Sequence, residues 1–147
     1  MKETMLWYAS QLKPAFAPPA WLFAPIWTVL YVIIAITYIR VFHLAYKRAI
    51  PKKVILPFAF NLIFNFAFSP LQFQLHSYYL SSVDIVLILG TIIWGMAAVW
   101  PYSRKLALWQ VPYLVWVSFA TVLQLTVVWL NSGLSMEYLR HLIPLLR

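Results

Sequence analysis

Asp84 is the only carboxylate inside the long apolar stretches of this sequence. A charged group at membrane depth is expensive, and by default it marks proton coupling or cation binding. The stretch SSVD at 81–84 favours a second reading. There Asp84 falls in the first helical turn after a serine cap, near the headgroups, where free N–H groups and the helix dipole hold a carboxylate. His43, His76 and His141 lie near the ends of apolar runs and share no metal-ligand spacing. Solvated or interfacial roles are therefore set ahead of a haem or metal ligand. The chain offers no paired carboxylates, no nucleophile with a base and no glycine-rich phosphate loop, so its chemistry points to binding rather than catalysis.

The remaining capable residues are amides and aromatics at helical spacing. Asn61, Asn65 and Phe68 fall at i, i+4 and i+7, hence on one helix face. Unpaired amides are costly in lipid, so that face must point inward. Trp27 and Tyr31 share a face in the same way, as do Trp116, Ala120 and Leu123, with Gln124 adjacent. Two readings stand side by side. In one, the amides glue helices together and the aromatics form interfacial belts, as Trp100 and Trp109 do at run ends. In the other, a small Ala120 beside a large Trp116 leaves room for a flat guest.

The elements that must position these residues follow from composition. Of 147 residues, 64% are hydrophobic and 10% charged, too little polar surface to cover a soluble domain of this size. No Asp, Glu, Lys or Arg occurs from Pro14 to Ile39, Val54 to Val83, Ile85 to Ser103 or Leu106 to Met136. Each run reaches the roughly 20 residues a helix needs to cross the hydrocarbon. The fold class expected is an all-α integral membrane protein, an antiparallel helical bundle with spans at about 24–46, 54–73, 80–101 and 108–130. KRAIPKK separates the first two spans, Pro70 ends the second, Ser81 and Ser82 cap the third, and Ser103, Arg104 and Lys105 form the last connection. Pro25, Pro57 and Pro112 fall in opening turns, where a missing N–H costs little.

Residues 1–147 read as a single domain, with no internal repeat and no signal-peptide core in MKETMLWYAS. The absence of cysteine excludes disulfides and thiolate metal sites. The net charge of +8 comes from cations at run ends rather than from a patch, which argues for membrane topology and against nucleic acid. Arg40, Lys47, Arg48, Lys52, Lys53, Arg104 and Lys105 flank one face, against Lys2, Lys13, Arg140 and Arg147 on the other. The positive-inside rule then expects both termini on the non-cytoplasmic side, in a multi-pass protein of a prokaryotic cell membrane. The leucine-rich tail 131–147 is too short to span and is expected to lie along the interface.

Four stretches carry a resemblance: WYASQLKPAFAPPAWLFAPIWTVLY at 7–31, FNFAFSP at 64–70, VD at 83–84 and VPYLVWVSFATVLQ at 111–124. In order and spacing they resemble the TspO/MBR family, the translocator proteins and tryptophan-rich sensory proteins. The resemblance implies a small helical bundle, often a homodimer. It implies binding of porphyrins such as protoporphyrin IX and haem, and in animal members of cholesterol and synthetic ligands, with no required cofactor. It makes 7–23 a lid, stiffened by Pro14, Pro18 and Pro19 and anchored by Trp7, Tyr8, Phe16 and Trp21. The implied ligand contacts are Tyr8, Trp27, Tyr31, Asn65, Phe68, Trp116 and Ala120, with Asn61 one turn away.

Three departures qualify it. Family members normally have five spans, and with six residues before Trp7 the first is expected to be missing: either the chain begins late, or it is a four-span variant whose exposed face lipid or a partner subunit must cover. Phe66 and Phe68 stand where many members have tryptophan, and Gln124 where asparagine is usual, which weakens any tryptophan-dependent porphyrin photochemistry. LQLTVVWLN lacks the tyrosine and basic residue of the animal sterol motif. The function expected is a receptor, carrier or stress sensor for porphyrin-type or sterol-like planar hydrophobes. The alternatives are a proton-coupled exporter of lipophilic cations using Asp84, or a porphyrin-degrading enzyme.

Overall fold

A computed structural model describes residues 13–74 and 78–131, which are helical apart from short connections and contain no strand. After a single 3₁₀ turn at Ala20–Leu22, α1 runs over Phe23–Tyr46. Helix α2 covers Ile55–Ser69, α3 Tyr78–Val99, the short α4 Arg104–Leu108 and α5 Val111–Asn131. Four segments are long and apolar enough to cross a membrane: Ala20–Tyr46, Lys52–Gln72, Tyr79–Val99 and Arg104–Asn131.

The distribution of side chains is that of a bundle in lipid. Val29, Val32, Ile36 and Ile39 of α1, Ile63 and Phe66 of α2, and Val115, Val122 and Trp129 of α5 are exposed. Asn61, Asn65, Gln72, Ser81, Asp84, Thr91, Gln110, Thr121 and Gln124 are buried. Lipid solvates aliphatic side chains and gives amides no partner, so polar groups must turn toward one another. Leu30, Ile34, Tyr38, Val41 and Ala45 form the buried stripe of α1, at spacings of four, four, three and four. They meet Val54 and Phe58, the isoleucines 85, 88 and 92 of α3, and Tyr113 and Val117 of α5 in one core.

Helix α3 is the hub, packed closely along both α2 and α5, whereas α1 stands further off and reaches its neighbours through large side chains. The close approach of α2 and α3 depends on Gly95. A Cβ there would lie 3.3 Å from Cζ of Phe58, whose ring is only 2% exposed and sits edge-on to Tyr38 at 4.9 Å. Gly90, one and a half turns earlier, has open space around it. Gly95→Leu is therefore expected to destabilise the bundle by about 2–3 kcal/mol through overpacking, and Gly90→Leu by less than about 0.5 kcal/mol. Thermal unfolding in detergent compares the two; equal shifts would mean that the α2–α3 contact does not rest on Gly95.

The connections correct three expectations. Pro70 does not end the second span: the chain continues as a π turn over Pro70–Gln74. The proline ring already has helical geometry at φ −65°, ψ −36°, and its missing N–H suits a wider turn. Ser81 and Ser82 do not cap the third span, because they lie inside α3. The last span starts earlier than 108. Ser103 caps α4 by accepting from the Leu106 N–H at 3.3 Å, so Arg104 and Lys105 are already helical, and α5 follows after a break at Trp109–Gln110. At the end of α1, Arg48 adopts a left-handed φ of 56° while the Ala49 N–H closes on the Leu44 carbonyl at 2.9 Å. That geometry is the left-handed termination glycine usually supplies. The tail 132–147 lies outside the described residues.

Candidate functional site

Four spans meet in a polar ladder at the bundle centre. Tyr31 donates from its hydroxyl to Asn65 Oδ1 at 3.2 Å, and Asn65 Nδ2 donates to the Tyr113 hydroxyl. Tyr113 in turn donates to Asn61 Oδ1 at 3.2 Å, as Tyr38 does at 2.7 Å. Asn61 Nδ2 donates to Thr91 Oγ1 at 2.9 Å and to the Ile88 carbonyl at 3.2 Å. A separate bond of 2.6 Å runs from Gln110 Nε2 to Thr37 Oγ1.

This arrangement divides the two asparagines. Asn61 is 0% exposed, its oxygen accepts two hydrogen bonds and its nitrogen donates two. An amide has no further capacity. Asn61, expected one turn from the ligand contacts, is here fully engaged in joining the helices. Asn65 accepts from Tyr31 and donates to Tyr113, which leaves one N–H and one lone pair for another group.

Toward the N-terminal end of α1, the interior changes from polar to aromatic. The Phe23 ring stands edge-on to Trp116 at 5.8 Å, Trp116 meets Phe119 at 5.6 Å, and Phe119 meets Phe16 at 6.4 Å. The proline-broken segment is therefore tied to α5 as well as to α1. Trp27 and Tyr31 lie 5.4 Å apart at a shallow angle, as their one-turn spacing requires. Trp27, Phe68, Trp116 and Ala120 are all partly buried against the common core. At this same end Gln124 Nε2 donates to Gln72 Oε1 at 3.0 Å and to Ser81 Oγ at 3.1 Å, joining α5, the π turn and α3.

Asp84 corrects a further expectation. It is the seventh residue of α3, on the buried face with Ser81, Ile85 and Ile88, and is 4% exposed. It is not a first-turn carboxylate near the headgroups. Its Oδ2 and the indole Nε1 of Trp116 are buried without a hydrogen-bond partner among the described residues.

The structure thus brings Trp27, Tyr31, Asn65, Phe68, Trp116 and Ala120 to the α1, α2 and α5 walls of the upper bundle, and sets Asn61 below them. Tyr8 and Trp7 lie outside the described residues. Sequence reasoning missed Tyr113, Tyr38, Phe23 and Phe119. The signal was present: Phe23 precedes Trp27 by one turn, and Tyr113 and Phe119 lie three residues on either side of Trp116. Trp100 and Trp109 are half exposed at helix ends, with the Arg104 guanidinium 5.7 Å from the centre of the Trp100 ring, as belt residues should be.

Comparison with known proteins agrees with this architecture. The chain is similar to the tryptophan-rich protein TspO of Chlorobaculum tepidum, 35% identical over 130 residues that cover 88% of this chain and 82% of the relative. It is similar to protein CrtK of Rhodobacter capsulatus, 31% identical over 127 residues, 86% of this chain and 79% of the relative. It is also similar to the translocator protein of Ovis aries, 35% identical over 127 residues, 82% of this chain and 72% of the relative. Residues 1–130 match the family model of TspO/MBR, and with the multi-pass helical bundle this places the chain in the TspO/MBR family.

Proposed function

We propose that this protein binds porphyrin-type planar hydrophobic ligands, protoporphyrin IX or haem, or sterol-like ones, inside the membrane, as a receptor, carrier or stress sensor. The observation that carries the reading is the aromatic group around Trp116. Phe23 from α1 and Phe119 from α5 pack on Trp116, Phe16 of the proline-broken segment packs on Phe119, and small Ala120 follows Trp116 by one turn. Flat faces at such angles suit a conjugated macrocycle or fused ring system, and the spare N–H of Asn65 can fix its orientation. The resemblance of 7–31, 64–70 and 111–124 to the family's motifs supports the same ligand class. Prolines 14, 18 and 19 lower the entropy lost when the segment closes.

Orientation and assembly belong to the same reading. The excess of cations at the α1–α2 and α3–α4 connections supports an orientation with those connections at the cytoplasm and both chain ends outside. A homodimer would cover part of the exposed apolar surface that lipid otherwise covers.

Protoporphyrin IX titrated into the full chain in nanodiscs, followed by quenching of tryptophan fluorescence, tests the reading. Saturable quenching is expected, weakened about threefold to tenfold in Trp116→Phe, which keeps an aromatic face but loses the larger indole. Quenching that rises linearly without saturation, in a sample that unfolds cooperatively, would sink it.

A further inference from the structure

Within the binding site proposed above, and resting on that reading, Asp84 and Trp116 each carry a buried polar atom that the described residues do not satisfy. Asp84 Oδ2 accepts no hydrogen bond and Trp116 Nε1 donates none among the described residues, although both atoms are buried. Every amide of the neighbouring ladder and of the Gln72–Ser81–Gln124 cluster has found a partner. Buried polar groups are almost always paired, and an unpaired carboxylate is the costliest exception.

The helix register puts the two groups against the same space. Helices α3 and α5 are antiparallel, with Ser81 bonded to Gln124 at one level and Thr91 joined through Asn61 to Tyr113 at another. Interpolating between those levels at about 1.5 Å per residue sets Asp84 beside Ala120 and Thr121, roughly one turn from Trp116. Thr121 offers Asp84 no ready partner, because its hydroxyl donates to the Val117 carbonyl at 2.7 Å. Ala120 is the small residue at that level. Phe23 and Phe119 lie beside Trp116 at 5.8 and 5.6 Å, and aromatic faces attract cations.

We infer that Asp84 and the Trp116 indole form a donor–acceptor anchor that selects planar hydrophobic ligands carrying an ammonium or N–H group next to a hydrogen-bond acceptor. Asp84 accepts from the ligand's N–H and Trp116 Nε1 donates to its acceptor. A ligand acid group at this end of the site is repelled, so a porphyrin would bind with its carboxylates turned away from α3.

The test uses the full chain in nanodiscs of zwitterionic lipid, which collect few cations themselves, and two probes of one ring system. Proflavine is planar and cationic with N–H donors; acridine has the same rings, no amine and no charge at neutral pH. Wild-type protein is expected to bind proflavine at least about tenfold more tightly than acridine, a difference on the order of 1.4 kcal/mol. Asp84→Asn should erase that preference and bind protoporphyrin IX more tightly than wild type, because its acid groups are no longer repelled at this end of the site. Equal wild-type affinity for the two probes, or a preference that survives in Asp84→Asn, overturns the inference and leaves the porphyrin reading intact. Failure of wild-type protein to bind protoporphyrin IX overturns both. The two-probe comparison needs no substitution, so it decides the matter even where the variant does not fold.

Discussion

Asn61→Ala is expected to lower the stability of the bundle by about 2–3 kcal/mol, more than any other single amide truncation in the chain. Asn61 holds Tyr38 of α1, Tyr113 of α5, and Thr91 with the Ile88 carbonyl of α3. Interhelical hydrogen bonds in membranes average about 0.6 kcal/mol, so four of them contribute on the order of 2 kcal/mol. The stranded Tyr38 hydroxyl, on a residue only 3% exposed, adds roughly 1 kcal/mol more. Thr91 suffers less, because its hydroxyl still donates to the Leu87 carbonyl at 2.9 Å. Thr126→Ala is the control, since that exposed hydroxyl bonds only its own helix at Val122. Thermal or denaturant unfolding in a mild detergent reads the difference. If the two variants lose the same stability, the ladder is decoration and the bundle is held by apolar packing alone.

Ala120→Leu is expected to weaken protoporphyrin IX binding by at least about tenfold while changing stability by less than about 1 kcal/mol. Ala120 lies one turn from Trp116, partly buried on α5, at the level where α3 presents Asp84. Three added carbons would occupy the space assigned to the ligand, and a clash in a site of fixed shape costs on the order of 1–3 kcal/mol. The protein would keep its fold, because the new side chain extends into the proposed ligand space rather than into the packed face of Val117 and Thr121. Val122→Leu, on the exposed side of the same helix, serves as the comparison and should bind as wild type does. Undiminished affinity in folded Ala120→Leu would move the ligand away from α5.

Together these two substitutions separate the two readings that amide and aromatic spacing left open. Asn61 belongs to the glue, with every lone pair and N–H committed. Asn65 keeps one N–H and one lone pair uncommitted among the described residues, and Trp116 Nε1 finds no partner there. One helical turn separates a group that makes the bundle from a group free to meet a ligand.

The family and the helical class were legible in residue order. Runs without charge have one stable solution in lipid, because only a helix satisfies its own backbone there. Trp27 with Tyr31, and Asn61 with Asn65, share faces by helical period alone, and the structure keeps them so. Tertiary structure decided which polar group meets which. Asn61 and Asn65 look equivalent in sequence, yet Tyr38 and Tyr113, from helices 23 and 52 positions away, saturate only the first. Asp84 read as a first-turn carboxylate after a serine cap because SSVD is a local signal; the helix starts at Tyr78 instead, and Asp84 is buried in its second turn. Pro70 read as a stop because its lost N–H is local, whereas packing around buried Gln72 carries the chain into a π turn. Period and composition are properties of one helix, but the satisfaction of a buried polar atom is a property of the whole bundle.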